Sequence, residues 1–318
     1  MSMPLACRTM DTPTAAELAA YSLPLQHPVT RDWADQDTRL HLLAEQHEED
    51  VLLATDHEIA ALRATRFAPH LPAETFLNRW VGIGDGLSAM LSMRYEGGAP
   101  DRPFVDASVL SRAVRPADLD GLARAARAAY GSLRPHYLRL WSAEPVDAFA
   151  GTTHDKRFVA APLAALRENA VPEAIGLRPT TDLSHYDDAR GAYEAVDAAH
   201  PEHPEQAQLQ DADELAESIE AGTMFDVLVD GDWAGYAAVA TGVDTLGLPG
   251  FTVQELVLTP AARGHGFGAH LSSLLARQLP GDGVLIGTID ADNRGSVQGA
   301  LRAGRHDVGG WFRVAVTQ

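Results

Sequence analysis

VQELVLTPAARGHGFGAHLSSLL, residues 253–275, runs from an apolar strand through a glycine turn into an amphipathic helix. The strand ends at Pro260, and the turn then reads Arg263, Gly264, His265, Gly266, Phe267, Gly268. Glycine takes positive φ without steric cost and, lacking a Cβ, lets an anion reach main-chain N–H groups. A helix beginning there adds unpaired N–H donors and the positive end of its dipole. Arg263 adds a cationic fork that matches phosphate. One glycine would serve as a cap. Three at alternate positions behind a strand predict a pyrophosphate cradle.

The same letters also fit a dinucleotide fingerprint. Gly264-x-Gly266-x-x-Ala269 has the spacing, and Asp290 follows Gly266 by 24 residues. The context disfavours that reading. Only 28 residues follow Asp290, and a hairpin rather than parallel crossovers precedes the turn. That hairpin is MFDVLVDGDWAGYAAVA (224–240), turning at Asp230-Gly231, a dipeptide suited to a two-residue turn.

Further out, the pattern occurs a second time. RWVGIGDGLSAMLSMRY (79–95) turns at Asp85-Gly86, ASVLSRAVRP leads to Pro116, a helix spans 118–133, and HYLRLWS (136–142) follows. Its counterparts are VQELVLTP ending at Pro260, a helix over 266–279, and GVLIGTI (283–289). Matching order at an offset near 145 predicts duplication. A helical region precedes each meander, over 14–64 and 182–222, with Leu40, Leu43, Ala44 and His47 at helical spacing in the first. The fold class expected is α+β, with two tandem domains. Each has a mixed, mostly antiparallel sheet flanked by helices. The polar stretch ENAVPEAIG (168–176) divides them into 1–168 and 176–318.

Composition narrows the function. At 318 residues, with roughly 150 per domain, two domains are expected. The net charge is −19, and Lys156 is the sole lysine. Such acidity argues against nucleic acid, which is bound through excess Lys and Arg. From Gly176 onward there are 21 acids and 8 arginines, net −13, with fifteen acids between Asp182 and Asp232. Cys7, expected as a small buried residue in a first strand, cannot build a disulfide framework or a Cys-rich zinc site. No metal is expected, because prolines flank His200 and His203 and no third ligand is suitably spaced. No run of about 18 apolar residues suggests a spanning helix, and no basic-then-apolar start suggests secretion. The expected location is cytoplasmic, without a membrane partner.

Residues 224–318 resemble the GNAT superfamily of acyl-CoA-dependent N-acyltransferases. Arg263-Gly-His-Gly-Phe-Gly268 is similar to that family's Arg-Gly-x-Gly-x-Gly/Ala turn, and Asn293-Arg-Gly-Ser296 with Gly304 resembles its second motif. The likeness covers 176–318 well. The first half shares it only through the repeat, as in the family's tandem members. The resemblance implies acetyl-CoA as co-substrate, with pantetheine paired along Glu255–Thr259, hence against Leu256, Val257 and Leu258. It implies pyrophosphate on the amides of Gly264, His265, Gly266, Phe267 and Gly268, with help from Arg263. It further implies Asn293 and Ser296 on the pantetheine arm, and a main-chain N–H near Val257 or Leu258 polarising the thioester carbonyl.

An ammonium must lose a proton before it attacks, so a base is needed near the acceptor. Glu255, on the strand among Val253, Leu256 and Val257, is the candidate, because such neighbours desolvate its carboxylate. The expected reaction moves an acetyl group to a primary amine of a small molecule by direct attack in a ternary complex. Fifteen acids on the acceptor side suggest a cationic amine, or else a solvated face. Two departures from the family keep an alternative open. Ala300 stands where the family has a tyrosine acid, and Arg305 where it has an aromatic. Tyr236 and His306 are then the conceivable acids, and the alternative is a catalytically silent acyl-CoA-binding or regulatory module. In the first half the turn reads Leu119-Asp120-Gly121-Leu122, which predicts no coenzyme A there. The chain is expected to be a monomer or homodimer.

Overall fold

The computed structural model describes residues 8–199, 208–242 and 245–316. Cys7, His200 and His203 lie outside them. The elements, in chain order, are β1 (Arg8–Thr9), α1 (Ala15–Ser22), α2 (Gln36–Thr55), α3 (His57–Phe67), β2 (Arg79–Gly84), β3 (Leu87–Tyr95), β4 (Pro103–Leu110), α4 (Leu119–Tyr130) and β5 (Tyr137–Ser142). Then come β6 (Thr153–Pro162), α5 (Leu163–Arg167), β7 (Ile175–Pro179), α6 (Tyr186–Ala199), α7 (Ala212–Glu220), β8 (Met224–Val229) and β9 (Asp232–Ala240). The chain closes with β10 (Gly250–Leu258), α8 (Leu271–Gln278), β11 (Val284–Asp290), α9 (Arg294–Arg302) and β12 (His306–Ala315). No helix among the described residues is long and apolar enough to cross a membrane.

The fold is α+β. Two compact units divide the chain, one formed by residues up to Asp155 together with those from Gly309, the other by Lys156–Val308. The division expected at 168–176 therefore falls inside the second unit. The reason is an exchange of strands. In the second unit β6 lies antiparallel to β11, from Pro162 opposite Val284 to Lys156 opposite Asp290. In the first, β12 lies antiparallel to β5, from Gly310 opposite Ser142 to Ala315 opposite Tyr137. Each half of the chain supplies the strand that completes the other unit's sheet.

In the first unit β1 to β4 form an antiparallel run, and α4 carries the chain to β5, which pairs in parallel with β4 over Val105–Ala107. Asp85 and Gly86 both have positive φ, 49° and 75°, as a two-residue hairpin turn requires. The core joins Leu91, Met93, Val105, Leu122, Ala126, Leu138 and Leu140 to Phe312 and Val314 of β12. The helical region expected over 14–64 is α1 to α3, opened by a Thr14–Glu17 capping box and by Asp35 and Asp56 caps. The inward face of α2 is partly polar. Ser22 Oγ lies 2.8 Å from His47 Nε2, and His47 Nδ1 lies 3.1 Å from Asp50, which also accepts from Ser108 Oγ at 2.8 Å. Ser22, His47 and Asp50 are buried, and through Ser108 on β4 the relay ties α1 and α2 to the sheet.

The second unit repeats the pattern: β7 to β10 antiparallel, α8 as crossover, and β11 parallel to β10. Asp230 and Gly231 form the matching turn, with φ of 51° and 93°. The succession expected from duplication is thus present in both units. One face of this sheet packs Leu163 and Leu166 of α5 against Leu271, Leu274, Leu275 and Leu285. The other packs Ala189, Ala192 and Leu215, from α6 and α7, against Tyr236, Ala238 and Val257.

Candidate functional site

β10 and β11 stay together for only three residues, Gly250–Thr252 against Val284–Ile286. β10 then continues for six more, held on its other side by β9 as far as Leu258 opposite Gly235. The strands part because β10 bulges between Val253 and Glu255, which bends it and re-aims its side chains. Ser218 Oγ donates to Gln254 Oε1 at 2.6 Å and secures the bulge from α7. Thr259 N–H donates to the Ala234 carbonyl at 2.8 Å, on the β9 side. Main-chain groups alternate along a strand, so those of Val257 face β9 and those of Leu256 and Leu258 face the open edge. Of the two candidate oxyanion amides, Leu258 is the one on the open edge. Leu256 is half-buried, and Val257 and Leu258 are buried.

At the end of that edge the chain turns into α8. Gly264 and Gly266 have φ of +79° and +84°, which L side chains resist, and nothing lies within 4 Å of where their Cβ atoms would be. Gly268 likewise borders open space. Among the described residues the N–H groups of Gly264, His265 and Gly266 donate to no backbone carbonyl. The turn is therefore a run of N–H groups without a backbone acceptor, ahead of a helix start, a kind of arrangement that can bind an anion. His265 is exposed and Phe267 half-buried against the α8 core. Arg263 Nη2 donates to the Ala192 carbonyl of α6 at 3.0 Å, so this side chain also ties the turn to the opposite helix.

The first unit's counterpart is closed. A Cβ on Gly121 would meet Ile83 Cγ2 at 2.9 Å. Ahead of α4 the buried Asp118 accepts from Arg115 N–H at 2.7 Å and from Arg112 at 2.8 and 2.9 Å. The anion at this helix start is the chain's own carboxylate.

Glu255 is 2% exposed and lies on the face covered by α6 and α7. Tyr193 Oη donates to its Oε1, and Gln210 N–H approaches Oε2 at 3.5 Å. Burial pushes the carboxyl up to about 7, against the pull of both hydrogen bonds. The same burial, with the adjacent carboxylate, makes Tyr193 hold its proton more tightly. Tyr193 was not a sequence candidate. Tyr186 and Tyr193, seven residues apart with Ala189 and Ala192 between them, share one helix face, and that periodicity was the available signal.

Asn293 caps α9, its Oδ1 accepting from Ser296 N–H at 3.1 Å, which leaves the amide nitrogen to donate elsewhere. Ser296 is exposed and Ala300 buried. Tyr236 is fully buried, its hydroxyl pushed up to about 12 by burial, a poor proton donor. Among the described residues no group of three or more His, Cys, Asp or Glu side chains is placed to hold a metal ion.

No family model and no curated protein matches the sequence. Solved structures do resemble it. A GCN5-related N-acetyltransferase from Kribbella flavida is 14% identical, with 83% of this chain and 97% of that one covered and a TM-score of 0.41. One from Sphaerobacter thermophilus is 15% identical, covering 85% and 94%, with a TM-score of 0.44. A tandem GNAT protein from the clavulanic acid biosynthesis pathway is 15% identical, covering 90% and 97%, at 0.41. At such identities and scores these likenesses say nothing of activity.

Proposed function

We propose that this chain is an acyl-CoA-dependent N-acyltransferase of the GNAT kind that acylates a primary amine from its second unit. One observation carries the reading: the edge β10 frees by leaving β11 runs directly into a turn of open, positive-φ glycines with unpaired N–H groups. A diphosphate on Gly264–Gly268 and a pantetheine arm along Leu256 and Leu258 use both features at once. The thioester, at the far end of that arm, then lies past Leu256 and near Glu255, where a main-chain N–H of the open edge can donate to the oxygen that gains charge in the transition state.

The amine nitrogen attacks the thioester carbon, a C–N bond forms, and the C–S bond breaks. Glu255 takes the amine proton, directly or through one water, with a pKa suited to exchange near neutrality. Tyr193 orients that carboxylate. The sulfur leaves as thiolate and takes its proton from water, since Ala300 offers none. Acids of α6 and α7 draw a cationic acceptor toward the Glu255 face.

Calorimetric titration of the full chain with acetyl-CoA should show one site per chain; two sites, or none, would contradict the assignment. A second reading, a silent acyl-CoA-binding module, is favoured by Ala300. Thiol release with an amine panel separates the two, and release that rises with pH for the wild type but not for Glu255→Gln supports catalysis.

A further inference from the structure

The carboxyl of Glu255 is sealed. It is 2% exposed, with Tyr193 Oη donating to it from α6 and Gln210 N–H approaching it from the segment before α7. A base that takes the proton of an amine must be reached by that amine or by one water, so α6 has to lift before an acceptor arrives. The helix is lightly held. Of its fourteen residues only Ala189 and Ala192 are buried, and both are small. Tyr186 and Tyr193 pack against the sheet only in part, and Tyr186 Oη donates to the Gln210 carbonyl at 3.1 Å. An element with so little buried apolar surface opens at low free energy. Its first end is fastened better, because His185, one residue ahead, stacks on Trp233 at 4.3 Å.

Further along α6 the fastening comes from the glycine turn. Arg263 Nη2 donates to the Ala192 carbonyl at 3.0 Å, and Ala192 is the chain neighbour of Tyr193. That acceptor is neutral. Among the described residues Arg263 makes no ion pair, and no carboxylate offsets the burial that lowers its pKa. The next residue is Gly264, whose N–H is the first of those without a backbone acceptor. A guanidinium bonds a charged oxygen about twice as strongly as a neutral one, so a diphosphate on the turn competes with the Ala192 carbonyl on favourable terms. The helix is also acidic, with Asp187, Asp188, Glu194 and Asp197 against Arg190, and an arriving dianion repels it.

We infer that Arg263 is the latch of α6: a diphosphate on the turn draws its guanidinium off the Ala192 carbonyl, and the loosened helix lets an acceptor reach Glu255. This rests on the transferase reading above and adds the regulation of its site. Only hydrogen bonds are exchanged. With the turn empty, the latch keeps Tyr193 on the carboxyl and the base enclosed. With the turn filled, α6 opens about its fastened first end, and Tyr193 returns to the carboxylate between openings. Arg263 is thus a positioning residue, acting on Glu255 through α6.

The test is hydrogen–deuterium exchange of the full chain, read by mass spectrometry with and without coenzyme A. Coenzyme A should protect the amides of residues 264–268 and, in the same sample, speed exchange over 186–199 about tenfold, the weight of one hydrogen bond. Arg263→Gln should show that fast exchange over 186–199 with no ligand present, while α4 of the first unit stays as slow as in the wild type. Protection of the turn with 186–199 unchanged or slowed overturns the inference and leaves the transferase reading standing. An Arg263→Gln helix that exchanges as slowly as the wild type overturns it as well. If the substitution loosens the whole second unit, the wild-type comparison alone decides. No protection at 264–268 removes both the inference and the reading beneath it.

Discussion

Replacing Glu255 by Gln removes a carboxyl that the fold holds neutral at a cost, so the variant's stability should respond differently to pH. The folded carboxyl titrates near 7, whereas the ordinary value is 4.5. Below 4.5 it is protonated in both states and contributes no difference. Between 4.5 and 7 the unfolded chain releases the proton while the folded chain keeps it, so folding loses stability as pH rises through that window. At 1.36 kcal/mol per pH unit the loss reaches about 3 kcal/mol above pH 7. Glu255 is almost fully enclosed, so solvent screening takes little from this figure. Gln fills the same space and cannot ionise. Guanidinium unfolding of both proteins at intervals from pH 4 to pH 9 should give curves that coincide in acid and diverge by about 3 kcal/mol in base, with wild type the less stable. Parallel curves across the whole range would mean that the carboxylate ionises normally, and Glu255 would lose its standing as a base tuned by burial.

Two further outcomes are expected. Gly266→Ala forces a Cβ onto a residue at φ +84°, a conformation costing about 1–2 kcal/mol for an L side chain, and should weaken coenzyme A binding about tenfold in calorimetry; unchanged affinity would remove the turn from the site. Phe312→Ala empties a fully buried position that meets Phe149 edge-on at 5.0 Å and should cost about 3–5 kcal/mol in guanidinium unfolding; a loss under about 1 kcal/mol would show that β12 does not fill the first unit's core.

Local chemistry was legible in the chain. Asp85-Gly86 and Asp230-Gly231 announce their hairpins because both positions need positive φ, and the alternating glycines at 264, 266 and 268 announce an open turn. The apolar pattern places the strand leading to Pro116 over 107–116, whereas β4 spans Pro103–Leu110, because an apolar run marks a strand better than its ends. The exchange of β6 and β12 was not legible. Both strands lie antiparallel to a strand that ends a crossover, and nothing in a two-residue period says which sheet will take which. Its sequence neighbours make Arg263 look like a phosphate ligand, while the Ala192 carbonyl it meets lies 71 residues away. Tyr193 was hidden for a similar reason: its partner Glu255 is distant along the chain, and an acid-rich helix draws attention to its charges instead.

The swapped strands also bear on how the molecule can come into being. Synthesis must reach β12 before β5 gains its second neighbour and Phe312 and Val314 reach their places, so the half made first must wait. Scission between residues 168 and 176 would hand each fragment a strand belonging to its sibling and leave each sheet with a raw border. A duplication knitted in this way does not divide into two independent domains: the second unit's sheet takes its β6 from the first half of the chain.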